Sequence, residues 1–273
     1  MNLDAYFARI GYEGPREPTV SVLAALHRHH LSAIPFENLD VLLKRPIRLD
    51  PESLERKLVT ERRGGYCFES NGLFFHALAA LGFRNTALAA RVLFDRPEFP
   101  LPPRSHMLQR VDFEEGAFLA DVAFGGQTPG GLLRWVPHVA QSTPRESCRL
   151  VPAGDEFDLE VLHGTEWRLL YRIAPHPHLP VDYEQANWHV STHPDSYFVN
   201  NVILAIPAEG CRYTLFNDEF RTRYPDGRVD VEVVAGPEGL LRLLEDRFEL
   251  SLPAADRTAL AELYAARFAV KAR

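Results

Sequence analysis

Near residue 85 the apolar pattern changes its period, and this restricts the chain to folds that join a helical part to a β-rich one. Upstream the pattern is helical. Thr19 is placed to cap "VSVLAALHRHHLSAI", in which Leu23, Leu26 and Leu31 give part of an apolar stripe. Asp50 and Pro51 form a helix start ahead of Leu54 and Leu58, one turn apart. Gly64-Gly65 then interrupt the chain, and after Cys67 the residues Phe74, Phe75, Leu78 and Leu81 recur at helical steps until Gly82. Downstream, "TALAARVLF", "HMLQRVDF", "AFLADVAF", "EFDLEVL" and "WRLLYRI" are short, β-rich and separated by turn residues, which predicts a small antiparallel sheet or barrel. Residues 175–196 are polar, carry prolines and histidines, and read as a connector. The end mixes strands ("NVILAI", "YTLFN", "RVDVEVV") with helices over "PEGLLRLLEDRF" and "AADRTALAELYAARFAV". The expectation is an α+β fold in three segments: an N-terminal helical bundle over 1–84, a central antiparallel β-barrel over 85–190 and an α/β segment over 191–273.

Composition narrows the function classes. With 273 residues the chain can bury a sizeable core, and 46% hydrophobic with 25% charged residues is ordinary for a soluble globular protein. A net charge of −7 argues against a nucleic-acid or membrane partner. Three cysteines, Cys67, Cys148 and Cys211, are too few and too odd in number for a disulfide framework, which suits a reducing cytoplasm. The N-terminus "MNLDAYFARIGYEG" lacks the basic and apolar blocks of a signal peptide, and no apolar run reaches the ~18 residues of a membrane span.

Cys67 falls in the first turn of the helix behind the two glycines. A thiol attacks only as a thiolate, and the unpaired N–H groups and dipole of a helix N-terminus favour negative charge there. The glycines would let a substrate approach the backbone. A small buried hydrophobe is the commoner use of a cysteine, and position alone does not overturn that reading.

A cysteine nucleophile needs a base, and the base an orienting group. His27, His29 and His30 read as solvent-facing or capping, and His76 as a core histidine. His176 and His178 in "HPH" have no cysteine or acidic cluster beside them, so no metal site is expected. His106 opens the strand "HMLQRVDF", and Asp121 lies among apolar neighbours where an acid is costly to bury unless paired. A hairpin turn centred on Glu115-Gly116 puts His106 and Asp121 on one face. It also sets Asp121 opposite Arg110, roughly 13 Å along the strand from His106. Closing the pair requires a bulge, strong curvature or a different loop.

At these residues the chain resembles a known family. "RRGGYCFESN" is similar to the active-site signature of arylamine N-acetyltransferases, R-G-G-x-C-[F/Y]-E-x-N, and "AIPFENLDVLL", "RSHMLQRVDF", "LADVAFGG" and "SYFVNNVILAI" resemble further family segments in the same order. One departure is visible: Ala123 stands where the family usually has glycine. The resemblance implies a Cys67–His106–Asp121 triad on a papain- or transglutaminase-like core, with the last segment as an α/β lid. It implies ping-pong transfer of an acetyl group from acetyl-CoA to an arylamine or arylhydrazine, with Phe36, Val92, Phe124 and Phe198 lining the acceptor slot. In "AFGGQTPGG" the lack of a Lys-Ser/Thr ending excludes a Walker loop, while Gly125 and Gly126 could let the backbone approach the cofactor. Glu69 and Asn71 are expected either to bond around the triad or to cap the helix. Within the superfamily, a macrolactam-forming amide synthase and a silent ligand-binding relative are the alternatives.

Overall fold

The computed structural model describes residues 1–95 and 100–267. The chain opens with α1 (Leu3–Ile10) and α2 (Val20–Ala33), capped by the Asn2 and Thr19 side chains. A short strand β1 (Phe36–Glu37) and the turns α3 (Leu39–Leu42) and α4 (Pro51–Leu54) follow, with Asp50 capping α4 as expected. The chain continues through a π-helical stretch, Glu55–Thr60, to α5 (Cys67–Ala80). Leu73, Phe74, Ala77 and Leu78 of α5 pack with Leu23 and Leu26 of α2 in the first core.

The next strands are β2 (Arg84–Val92), β3 (Arg104–Phe113), β4 (Gly116–Ala120), β5 (Leu133–Arg134), β6 (Gln141–Ser142), β7 (Ser147–Ala153), β8 (Glu156–His163) and β9 (Glu166–Ala174). Among the described residues they form an antiparallel sheet in the order β5-β4-β3-β2-β9-β8-β7-β6. The Gln141 side chain bonds the Arg134 backbone N–H and C=O at 2.7 and 2.9 Å, linking the two edge strands into a nearly closed barrel.

The expected connector over 175–196 contains a helix, α6 (Pro180–Thr192). Pro180 pre-sets its first turn and Asp182 accepts from the Leu179 N–H at 2.9 Å. Its polar composition hid it, because only Tyr183, Asn187 and Val190 are buried. After α7 (Tyr197–Asn200) come β10 (Ile203–Ala208), β11 (Cys211–Phe216), β12 (Glu219–Arg223) and β13 (Val229–Val233). These add to β1, Phe36 pairing with Ala205, so an N-terminal strand completes the C-terminal sheet. Helices α8 (Gly236–Phe248) and α9 (Ala254–Arg267) pack on this sheet through Leu240, Leu244, Phe248, Leu260 and Tyr264. Residues 268–270 of the expected last helix lie outside the described residues. The α+β class and the order of helical, barrel and mixed parts agree with the expectation.

Candidate active site

Cys67 is the first residue of α5 and is 4% exposed. Tyr66 before it is extended, and its N–H is accepted by Glu69 at 3.1 Å. Glu69 thus caps the helix, and Lys57 neutralises it at 2.6 Å while also reaching Asp40 at 2.7 Å. Asp40 and Glu37 share Arg63, at 3.2 and 2.8 Å, so a buried ion network braces the segment before the cysteine. Space around the two glycines is taken by the protein itself. A Cβ on Gly64 would lie 2.3 Å from the Pro35 carbonyl oxygen, and one on Gly65 2.9 Å from Glu69. The backbone of Gly65 exchanges two hydrogen bonds of 3.2 Å with Pro35 and Glu37. Contrary to the expectation, the pair admits the chain over 35–37 rather than a substrate.

The Cys67 thiol donates to the Ser105 carbonyl oxygen at 3.6 Å and stands beside His106, close enough to raise its pKa. His106 Nε2 donates to Asp121 Oδ2 at 2.7 Å, which leaves Nδ1 as the nitrogen toward sulfur. The distance problem posed by the hairpin is resolved in two ways. The turn sits two positions from the expected register, with Phe113 opposite Gly116 and Gln109 opposite Ala120. The strand then ends at Ala120, so Asp121 leaves the ladder. A bulge where β2 meets β3, at Ala90/Arg91, adds curvature beside His106.

Asp121 accepts four hydrogen bonds. Oδ2 takes His106 and Tyr171 Oη (2.9 Å); Oδ1 takes Asn71 Nδ2 (2.9 Å) and the Ala123 N–H (3.0 Å). Burial pushes its carboxyl upward, but His106 and these donors outweigh burial and hold it below the ordinary aspartate value. For His106, burial favours the neutral ring, yet the Asp121 carboxylate and the contact with Cys67 push it up to about 10. The site therefore stabilises an imidazolium between a carboxylate and a sulfur.

Around this row, Asn71 also donates to Met107 O at 2.7 Å and accepts from the Val122 N–H at 3.0 Å, so it bonds around the acid rather than capping α5. His27 and His30 are buried, not solvent-facing: His27 Nε2 donates to Asp121 O at 2.9 Å, and His30 bonds Tyr6 Oη and Ser70 Oγ at 2.8 Å each. His76 is half-buried beside Phe75. Sequence reasoning missed Tyr171, which reads as one more residue of an apolar strand, and His27, which reads as solvent-facing or capping its helix. Phe36, Phe198 and Cys67 join one apolar cluster, with the two rings 6.1 Å apart. Phe124 stands edge-on to His106 at 4.9 Å. Val92 lies at the end of β2, paired with Tyr171. Gly125 has φ +72°, which favours glycine, and the turn is tied by Thr128 Oγ1 to the Phe124 N–H at 2.7 Å. Gly126 faces Thr214, 3.0 Å from where a Cβ would stand. His176 and His178 stack at 5.4 Å, and among the described residues no group of three His, Cys, Asp or Glu could hold a metal ion.

A model of the N-acetyltransferase family matches residues 19–257. An arylamine N-acetyltransferase of Mycobacterium tuberculosis is 39% identical over 92% of this chain and 90% of its own length. The chain belongs to the arylamine N-acetyltransferase family. A family member of Salmonella typhimurium, named arylamine N-acetyltransferase / N-hydroxyarylamine O-acetyltransferase, is 41% identical over 92% of this chain and 89% of its own length. The Mycobacterium marinum arylamine N-acetyltransferase, solved in complex with CoA, superimposes with a TM-score of 0.93 at 36% identity, over 97% of this chain and 99% of that one. The family's papain-like architecture is therefore retained over nearly the whole chain.

Proposed function

We propose that the protein transfers an acetyl group from acetyl-CoA to the nitrogen of an arylamine or arylhydrazine through an acetyl-Cys67 intermediate. The observation that carries the reading is the buried row Cys67–His106–Asp121 at the start of α5, in a chain of this family. His106 takes the thiol proton and forms a thiolate–imidazolium pair, and Asp121 fixes its tautomer and charge. The thiolate attacks the thioester carbonyl carbon. The bond to the coenzyme's sulfur breaks, and that sulfur leaves with the proton from His106. The amine nitrogen then attacks acetyl-Cys67, gives its proton to His106 and releases the cysteine.

Each tetrahedral intermediate carries an oxyanion. The Cys67 N–H, at a helix start and without an intrahelical acceptor, is suited to bind it. The aromatic acceptor is assigned to the apolar surface of Phe36, Phe198, Phe124 and Val92, supported for the first two by their cluster with Cys67. Gly125 and Gly126 are assigned to the donor, whose pantetheine arm needs close backbone approach. We place the protein in the cytoplasm and divide it at residues 84 and 190 into bundle, barrel and lid. The cytoplasmic assignment agrees with three free cysteines and with the lack, among the described residues, of a helix long and apolar enough to cross a membrane.

Intact-protein mass spectrometry after mixing with acetyl-CoA tests the reading. The wild type gains one acetyl group and loses it on an arylamine chase, while Cys67→Ser gains none. A folded wild type that is never acetylated overturns the proposal.

A further inference from the structure

A cavity of about 510 Å³ lies where α2, the turns flanking β7 and β8, and the C-terminal sheet meet. Four arginines line it: Arg28 from α2, Arg145 before β7, Arg212 on β11 and Arg223 on β12. A single carboxylate, Glu146, faces them and is bound to Arg212 at 3.1 Å. This excess of positive charge occurs in a chain whose net charge is −7.

The arginines are not all there to satisfy one another. Arg212 is 6% exposed, yet its Nε and Nη1 are buried without a partner, and so is Nε2 of His163 on the same wall. Burial and the neighbouring Arg212 lower Arg145 to about 10, and burial with Arg212 and Arg221 lowers Arg223. Like charges this close in a poorly solvated wall are costly unless an anion neutralises them. The guanidinium fork matches phosphate oxygens in pairs, and a phosphate monoester brings about −2 charges near neutral pH.

The cavity does not open toward Cys67. Between it and the active-site turn is a gap of about 10 Å³ bounded by Phe36, Gly125, Arg145 and Arg212, room for about one water and not for a pantetheine arm. Neither Cys67, His106 nor Asp121 lines the arginine cavity.

We propose that this cavity is a binding site for a small phosphate-bearing anion, separate from the site of acyl transfer. Arg145, Arg212 and Arg223 supply the inner donors, and Arg28 guards the rim. Arg145 and Arg212 also bound the gap beneath Gly125, so an anion there would stiffen the turn that holds Phe124 against His106.

Calorimetric titration and thermal shift with inorganic pyrophosphate, at constant ionic strength, test the site on the full chain. The expected result is saturable one-to-one binding, weakened about tenfold or more in Arg145→Gln and in Arg223→Gln, the loss of one charged hydrogen bond. Arg28→Gln, an exposed helix position that folding does not need, should weaken binding by several-fold. Cys67→Ser should bind like the wild type, which keeps this result independent of whether the acetyl-transfer reading holds. Pyrophosphate that does not bind, or binds equally well to the folded arginine variants, overturns the proposal. Displacement of pyrophosphate by coenzyme A at this site would overturn its separateness.

Discussion

Asn71 lies one turn along α5 from Cys67 and donates to Asp121 at 2.9 Å, so the helix that carries the nucleophile also holds the acid that orients the base. The same side chain accepts from the Val122 N–H and donates to Met107 O, pinning the end of β4 and the middle of β3 to α5. One amide therefore sets the spacing of all three members of the row. Replacing it with alanine removes a charge-assisted donor and frees the segment after β4. Asn71→Ala should lower the rate of Cys67 acetylation by about 10- to 100-fold, the worth of a hydrogen bond to a charged group. Stopped-flow acetylation of folded protein measures this, and a rate within twofold of wild type would remove Asn71 from the positioning scheme.

The pH dependence follows from the same row. Burial acts to deprotonate His106, but Asp121 and Cys67 win and raise it to about 10. Its stabilising contribution is thus complete below about 6.5 and is lost as pH rises through about 10. Asp121 is shifted downward, so its contribution is present above about 4 and lost as pH falls through its folded value. Acetylation rates should hold on the alkaline side until His106 loses its proton. Asp121→Asn should move that limb down toward ordinary histidine values, as a pH–rate profile of the acetylation step would record.

His27 and His30 add an acid-sensitive term. Burial lowers them to about 4 and about 3, so the unfolded chain binds protons that the folded chain refuses. Stability should fall as pH drops below about 6.5, the ordinary histidine value. Urea midpoints at pH 7 and pH 5 should differ, and His30→Gln should shrink the difference. An unchanged difference would assign the acid loss to other groups.

Gly64→Ala places a methyl group against the Pro35 carbonyl oxygen, which belongs to the backbone and cannot swing aside. A loss of about 1–3 kcal/mol in urea unfolding is expected. Because Gly65 and Glu37 sit in the same contact, acetylation should fall along with it.

Ala123→Gly restores the residue usual in the family and keeps the N–H that bonds Asp121 at 3.0 Å. The methyl group it deletes is 1% exposed within the cluster holding Cys67 and Phe36. Acetylation should stay within about twofold while stability drops by about 1 kcal/mol, from lost burial and added backbone freedom. A large change in rate would mean that the methyl group shapes the site.

The sequence by itself determined the helix starts at Thr19, Asp50 and Cys67, the change from helix to strand near residue 85, and the shared face of His106 and Asp121. These depend on capping, period and parity, which act over a few residues. The cysteine signature and the order of the family segments are likewise written in the chain. Tertiary structure alone decided that His106 meets Asp121, because the hairpin register and the release of the chain after Ala120 depend on packing against α5. It alone brought Tyr171 from β9, fifty residues from Asp121, into the carboxylate's hydrogen bonds. It also turned His27 and His30 inward, since a helix face is apolar or polar only relative to what covers it. The helix over 180–192 escaped notice for the same reason: three buried side chains anchor it, and their neighbours in sequence face water.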